Sequence, residues 1–97
     1  MEEQTHEQVR EIIASVPARK VATYGDIAAL AGLPTPRMVG QVLREDGFDL
    51  PWHRIIRATG VPAPHLVTEQ LQRLRAEGVL AVNSKVDLRR YRWNPQF

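Results

Sequence analysis

The residue types best suited to chemistry crowd into Pro51-Trp52-His53-Arg54. An imidazole can donate and accept protons, and a guanidinium presents a flat fork of donors. Between proline and histidine stands an indole. It has one weak N–H donor and no ionisable atom that could accept a transferred group. A thiolate is a strong nucleophile once its proton is lost, and the sequence contains no cysteine to supply one. Missing cysteine also removes disulfides and zinc–cysteine sites; no metal or cofactor is expected. An intracellular location follows as the default.

The charges are distributed unevenly. Glu2, Glu3, Glu7 and Glu11 gather at the start, while Arg54, Arg57, Arg73, Arg75, Lys85, Arg89, Arg90 and Arg92 lie later, within a formal net charge of only +2. Arginine outnumbers lysine heavily, and its planar fork suits phosphates and bases. Charge alone is equally compatible with a solvated basic surface. At 97 residues the chain fits one domain over 1–97 that can bury a core unaided. No apolar run approaches the ~20 residues of a membrane span, and the acidic start is unlike a signal peptide. No membrane partner is expected.

The elements that must position the turn follow from spacing. Val9, Ile12, Ile13 and Val16 form one apolar stripe, which predicts a helix over Thr5–Val16. Thr5 and Gln8 supply a capping box, and Pro17 a stop. A second helix is expected through Ile27–Ala31, capped by Thr23 or Asp26 and ended by Gly32. A third is expected from Pro36 to Arg44, with Thr35 as cap. Two short helices joined by a Gly/Pro turn, the second opening with an arginine, make a helix-turn-helix pattern. Glu45–Asp49 reads as a turn, Leu50 before Pro51 as extended, Ile55-Ile56 as a short buried strand, and Ala58–Pro64 as a loop. A fourth helix runs from about His65 or Thr68 to Glu77, ended by Gly78. Val79–Val82 and Val86–Leu88 flank the polar turn Asn83-Ser84-Lys85 as a β-hairpin. Arg89–Trp93 trails off basic and aromatic. The expected fold is mainly α with a small hairpin, a winged-helix-like domain.

Pro51-Trp52-His53-Arg54 resembles the Pro-Cys-His-Arg signature of the O6-alkylguanine-DNA alkyltransferases, with tryptophan at the alkyl-accepting position. That replacement is the mark of the alkyltransferase-like proteins. Val21–Ala28 is similar to the family's Ser/Thr-Tyr-Gly-x-Ile-Ala segment, Arg37-Met38-Val39-Gly40 to its Arg-Ala-Val-Gly, and Leu74–Val79 to its Leu-Leu-x-x-Glu-Gly-Val. The resemblance runs from about Val9 to about Val79. One match would be weak; four in order are specific.

The resemblance implies a non-enzymatic sensor of O6-alkylguanine in double-stranded DNA that works from the minor groove. Tyr24 would crowd the target phosphate, and Arg37 would fill the stack left by the extruded base. Gly40 would admit the groove closely, and Trp52 and His53 would line the lesion pocket. Glu77 would bond His53, and Arg54 would support the turn. Nucleotide excision repair proteins are implied as partners, and the chain is expected to act as a monomer. Two departures stand out. The family's turn asparagine has no counterpart at Glu45–Gly47, and its Tyr-Ser-Gly-Gly closing loop is missing from Val61–Glu69, which implies a more open pocket. Two alternatives remain open at this point, a winged-helix regulator of undamaged DNA and a protein-interaction module.

Overall fold

The stripe predicted for the first helix forms as α1 (Glu3–Ser15) and buries Val9 and Ile13 completely. Val16 leaves helical geometry because Pro17 follows it (φ −64°, ψ 117°). The start differs from expectation. Glu2 is the N-cap and makes no side-chain cap bond, so the Thr5/Gln8 box does not form. Glutamates are good helix formers and favour the positive N-terminal end of the helix dipole, which carries the helix past Thr5. The computed structural model describes residues 2–95, so both ends of the domain expected over 1–97 lie outside it.

The chain then enters β1 (Ala22–Thr23) and α2 (Tyr24–Leu30). Thr23 and Asp26 act together where the sequence offered either. The Thr23 hydroxyl accepts from the Asp26 N–H and the Asp26 carboxylate accepts from the Thr23 N–H, both at 3.0 Å. Tyr24 thereby becomes the first residue of the helix, three positions before the expected start. Gly32 turns left-handed (φ +71°) beyond the end of α2.

The second helix of the pair is α3 (Arg37–Asp46), preceded by Pro36. Thr35 accepts weakly from the Arg37 N–H at 3.4 Å. The helix continues through Glu45-Asp46, which the sequence reading made a turn. The reason is tertiary. Asp46 receives His6 at 2.6 Å and Arg10 at 2.8 Å, both from α1. Those donors compensate a carboxylate at the negative end of α3. A 3-10 turn, Gly47–Asp49, leads to Leu50, which is extended as expected (φ −121°, ψ 157°).

Ile55-Ile56 forms β2, fully buried, and it pairs in parallel with β1: Ala22 with Ile55, Thr23 with Ile56. This pairing was not foreseen, and it sets the next two residues, Tyr24 and Arg57, side by side. A 3-10 turn at Pro64–Leu66 precedes α4 (Val67–Ala76). The hairpin is β3 (Ala81–Val82) and β4 (Lys85–Val86). Asn83 and Ser84 alone make its turn, both left-handed, and Lys85 belongs to the strand.

The final stretch does not trail off. Asp87 caps a short helix, α5 (Leu88–Tyr91). Val21 is then bound from both sides, its N–H by the Tyr91 carbonyl at 2.9 Å and its carbonyl by the Trp93 N–H at 2.7 Å. Arg92 forks onto Asp26 at 2.6 and 3.0 Å. Two apolar clusters result. One joins α1, α2, α3 and Ile55; the other joins Val21, Ile56, Leu74, Val79, Val86 and Tyr91. Adjacent Ile55 and Ile56 serve one each, because successive strand residues point to opposite faces. The mainly helical expectation holds, with the parallel pair and α5 added. No helix among the described residues is long and apolar enough to cross a membrane.

Candidate nucleic-acid interface

The Pro-Trp-His-Arg turn is a 3-10 turn over Trp52–Arg54, and it is bound from behind. Arg54 donates to Glu77 through Nε (3.0 Å) and a terminal nitrogen (2.6 Å), and its other terminal nitrogen donates to the Val16 carbonyl at 2.9 Å. His53 Nε2 lies 3.0 Å from Glu77 Oε2. The Arg54 fork, with His53 beside it, holds the Glu77 carboxyl down at about 2 against the cost of burial. Glu77 is therefore an ionised acceptor, so His53 donates from Nε2. Its Nδ1 is buried and has no hydrogen-bond partner among the described residues. The Gln70 amide, itself buried, donates to the carbonyls of His53 (3.1 Å) and Ile55 (2.8 Å).

In front of the turn lies an open groove of about 730 Å³. Trp52 and His53 form part of its wall, with Tyr24 and Gly40 from the helix pair and Leu43, Phe48 and Leu50 adding apolar surface. Ala63, His65, Leu66 and Glu69 occupy the side where the sequence lacked a closing loop. The Trp52 ring is only half-buried and belongs to neither apolar cluster. The Arg73 guanidinium sits 5.5 Å above it and is held by Glu69 at 3.1 Å. The groove wall thus carries an indole with a guanidinium over its ring.

Arg37 lies outside this groove. It lines an adjoining one of about 510 Å³ with Pro36 and Arg57, and Tyr24 and Ala63 are shared between the two. Arg37 and Arg57 are exposed and form no ion pair among the described residues. Burial raises the Tyr24 hydroxyl above its ordinary pKa, and Arg57 partly opposes this.

The structure thus collects Tyr24, Gly40, Trp52 and His53 in one groove, sets Arg37 on its neighbour, and places Arg54 and Glu77 behind the turn. Sequence reasoning missed Gln70, Arg73 and Arg57. The first two had a signal. Glu69, Arg73 and Glu77 recur every four residues and Gln70 lies seven before Glu77, so all belong to one side of α4. Arg57 had none, because only the parallel register brings it to Tyr24. No cluster of three metal-ligating side chains exists among the described residues.

Residues 4–79 match the family model "6-O-methylguanine DNA methyltransferase, DNA binding domain". A protein of Escherichia coli (strain K12) named DNA base-flipping protein is 45% identical over 95 residues, 91% of this chain and 73% of that protein. Alkyltransferase-like protein 1 of Schizosaccharomyces pombe is 32% identical over 100 residues, 91% of this chain and 93% of its own. The crystal structure of S. pombe Atl1 with damaged DNA containing O6-carboxymethylguanine superposes with a TM-score of 0.85 at 30% identity, covering 98% of this chain and 99% of that one. The chain belongs to this family, in its alkyltransferase-like branch.

Proposed function

We propose that this protein is a non-enzymatic sensor of O6-alkylguanine in double-stranded DNA. The observation that carries the reading is Trp52: an indole stands at the alkyl-accepting position of a braced, open groove, in a chain without cysteine. The start of α3 approaches the minor groove, Tyr24 crowds the phosphate of the target nucleotide, and the base rotates out. Arg37, on the adjoining groove, fills the stack. Extrusion costs a few kcal/mol and is cheapest for a poorly paired base, so selectivity begins there. The extruded base then meets the Trp52 face and the Arg73 donors, while His53 and Glu77 serve as a strut.

The damaged DNA in the S. pombe Atl1 structure and the name of the E. coli relative support this reading. By family resemblance the protein acts inside the cell as a monomer and passes the bound lesion to nucleotide excision repair proteins. Binding to matched duplexes carrying guanine, O6-methylguanine and a bulkier O6-adduct tests the core of the proposal. Tighter binding to both adducts than to guanine is expected, and equal affinity for all three would overturn it.

A further inference from the structure

We infer that Phe48 is a specificity residue of the lesion groove: its ring packs against the outer, apolar part of an O6-alkyl group and makes affinity rise with that group's size. The inference rests on the reading of the groove as the lesion site. Phe48 is 88% exposed, the most exposed large apolar side chain among the described residues. Single exposed apolar residues are common, so exposure alone assigns nothing. Position does. Phe48 lines the same groove as Trp52, Leu50 and Leu66. The other two such residues, Leu80 and Val82, line a separate groove at the hairpin.

The turn that presents the ring is fixed. Gly47 is buried, a Cβ added to it would meet the Trp52 Cβ in ordinary contact at 3.9 Å, and its carbonyl accepts from the Leu50 N–H at 3.0 Å. On the opposite flank Asp46 is tied to α1 through His6 and Arg10. The ring is thus held at the rim beside Trp52 without being packed into the protein. Guanine has no O6 substituent and a methyl group is short, so neither reaches the rim far beyond Trp52. A benzyl or butyl group does, and it finds at Phe48 an apolar surface already in place. No bond is made or broken.

The full chain and its Phe48→Ala and Phe48→Leu variants are titrated with duplexes carrying guanine, O6-methylguanine and O6-benzylguanine. Wild-type affinity is expected to rise from methyl to benzyl. Phe48→Ala should lose about tenfold on the benzyl duplex, the worth of one well-packed aromatic contact, and less than about twofold on the other two. Phe48→Leu should keep most of the benzyl affinity. An equal loss on all three duplexes would make Phe48 a contact to the duplex itself, and an unchanged size profile would make it a bystander; either overturns the inference while leaving the lesion reading intact. A wild type that does not distinguish guanine from either adduct overturns both. Melting each variant first guards the comparison, and if Phe48→Ala does not fold, Phe48→Gln takes its place.

Discussion

Glu77 braces the turn that walls the groove without lining the groove itself. Its carboxylate receives the Nε–H and one terminal N–H of Arg54 and the His53 N–H, so its pKa falls from 4.5 to about 2 on folding. A lowered carboxyl stabilises the fold fully above its unfolded pKa and loses that contribution as pH falls through the window from about 4.5 to about 2. Glu77→Gln should therefore cost about 2 kcal/mol at pH 7, less than for a fully dry pair because solvent screens the lock. It should also flatten the stability profile across that window. Asp26 and Asp46, lowered by their own cation partners against the cost of burial in Asp26, leave a residual slope. Urea midpoints at pH 7 and pH 3 check both points. Trp52 behaves oppositely. Half-buried and outside both clusters, it should cost only about 1–2 kcal/mol on truncation to alanine, against 3–5 for a core aromatic. Thermal melting should fall by roughly 5–10 °C with the fold intact, while preference for alkylated over normal guanine is lost. Wholesale unfolding of Trp52→Ala would remove Trp52 from the site.

At the scale of elements, the parallel pair β1–β2 decides the interface. It ties the Pro-Trp-His-Arg turn to the start of α2 and aligns Tyr24 with Arg57. α3 opens with Arg37 across the groove that Tyr24 shares, one turn before Gly40. In the proposed mechanism Arg37 is more than a phosphate contact. Arg37→Ala should weaken binding to a lesion duplex by about tenfold or more, because the vacated stack is left unfilled. The slope of affinity against salt should change by no more than about one unit, the share of one phosphate. Fluorescence titrations across a salt series measure both, and wild-type affinity in the variant would remove Arg37 from the mechanism.

For the whole molecule the question is whether restoring the nucleophile restores an enzyme. Trp52→Cys would set a thiol beside His53, whose Nε2 is already bound to Glu77. The groove stays open along Ala63, His65 and Leu66, where the transferases have a closing loop, and the turn before the signature lacks their asparagine. A thiol that is neither enclosed nor oriented makes a poor acceptor. Neither the natural chain nor Trp52→Cys should take up label from duplex O6-methylguanine in stoichiometric amount. Transfer by the natural chain would contradict the sensor; transfer by the variant would show that the closing loop is dispensable.

The groove's residue types and the order of its helices are legible in the chain read alone. Periodicity marks the buried stripe of α1, glycine and proline mark the turns, and Leu50 had to be extended because Pro51 follows it. These are local causes, acting within a few residues of the position they govern. Features that depend on partners distant in the chain emerged only with the packed fold. Asp46 lengthens α3 only because His6 and Arg10 reach it from α1. The parallel pair joins residues more than thirty positions apart in the numbering. Arg92 and Trp93, which looked like a loose basic tail, close over Asp26 and Val21. Arg73 could be placed on its helix from spacing, but its seat over Trp52 required the packing of α4 against the turn. Phe48 is the clearest case: nothing in its neighbours along the chain separates a buried ring from one left at the rim of a groove.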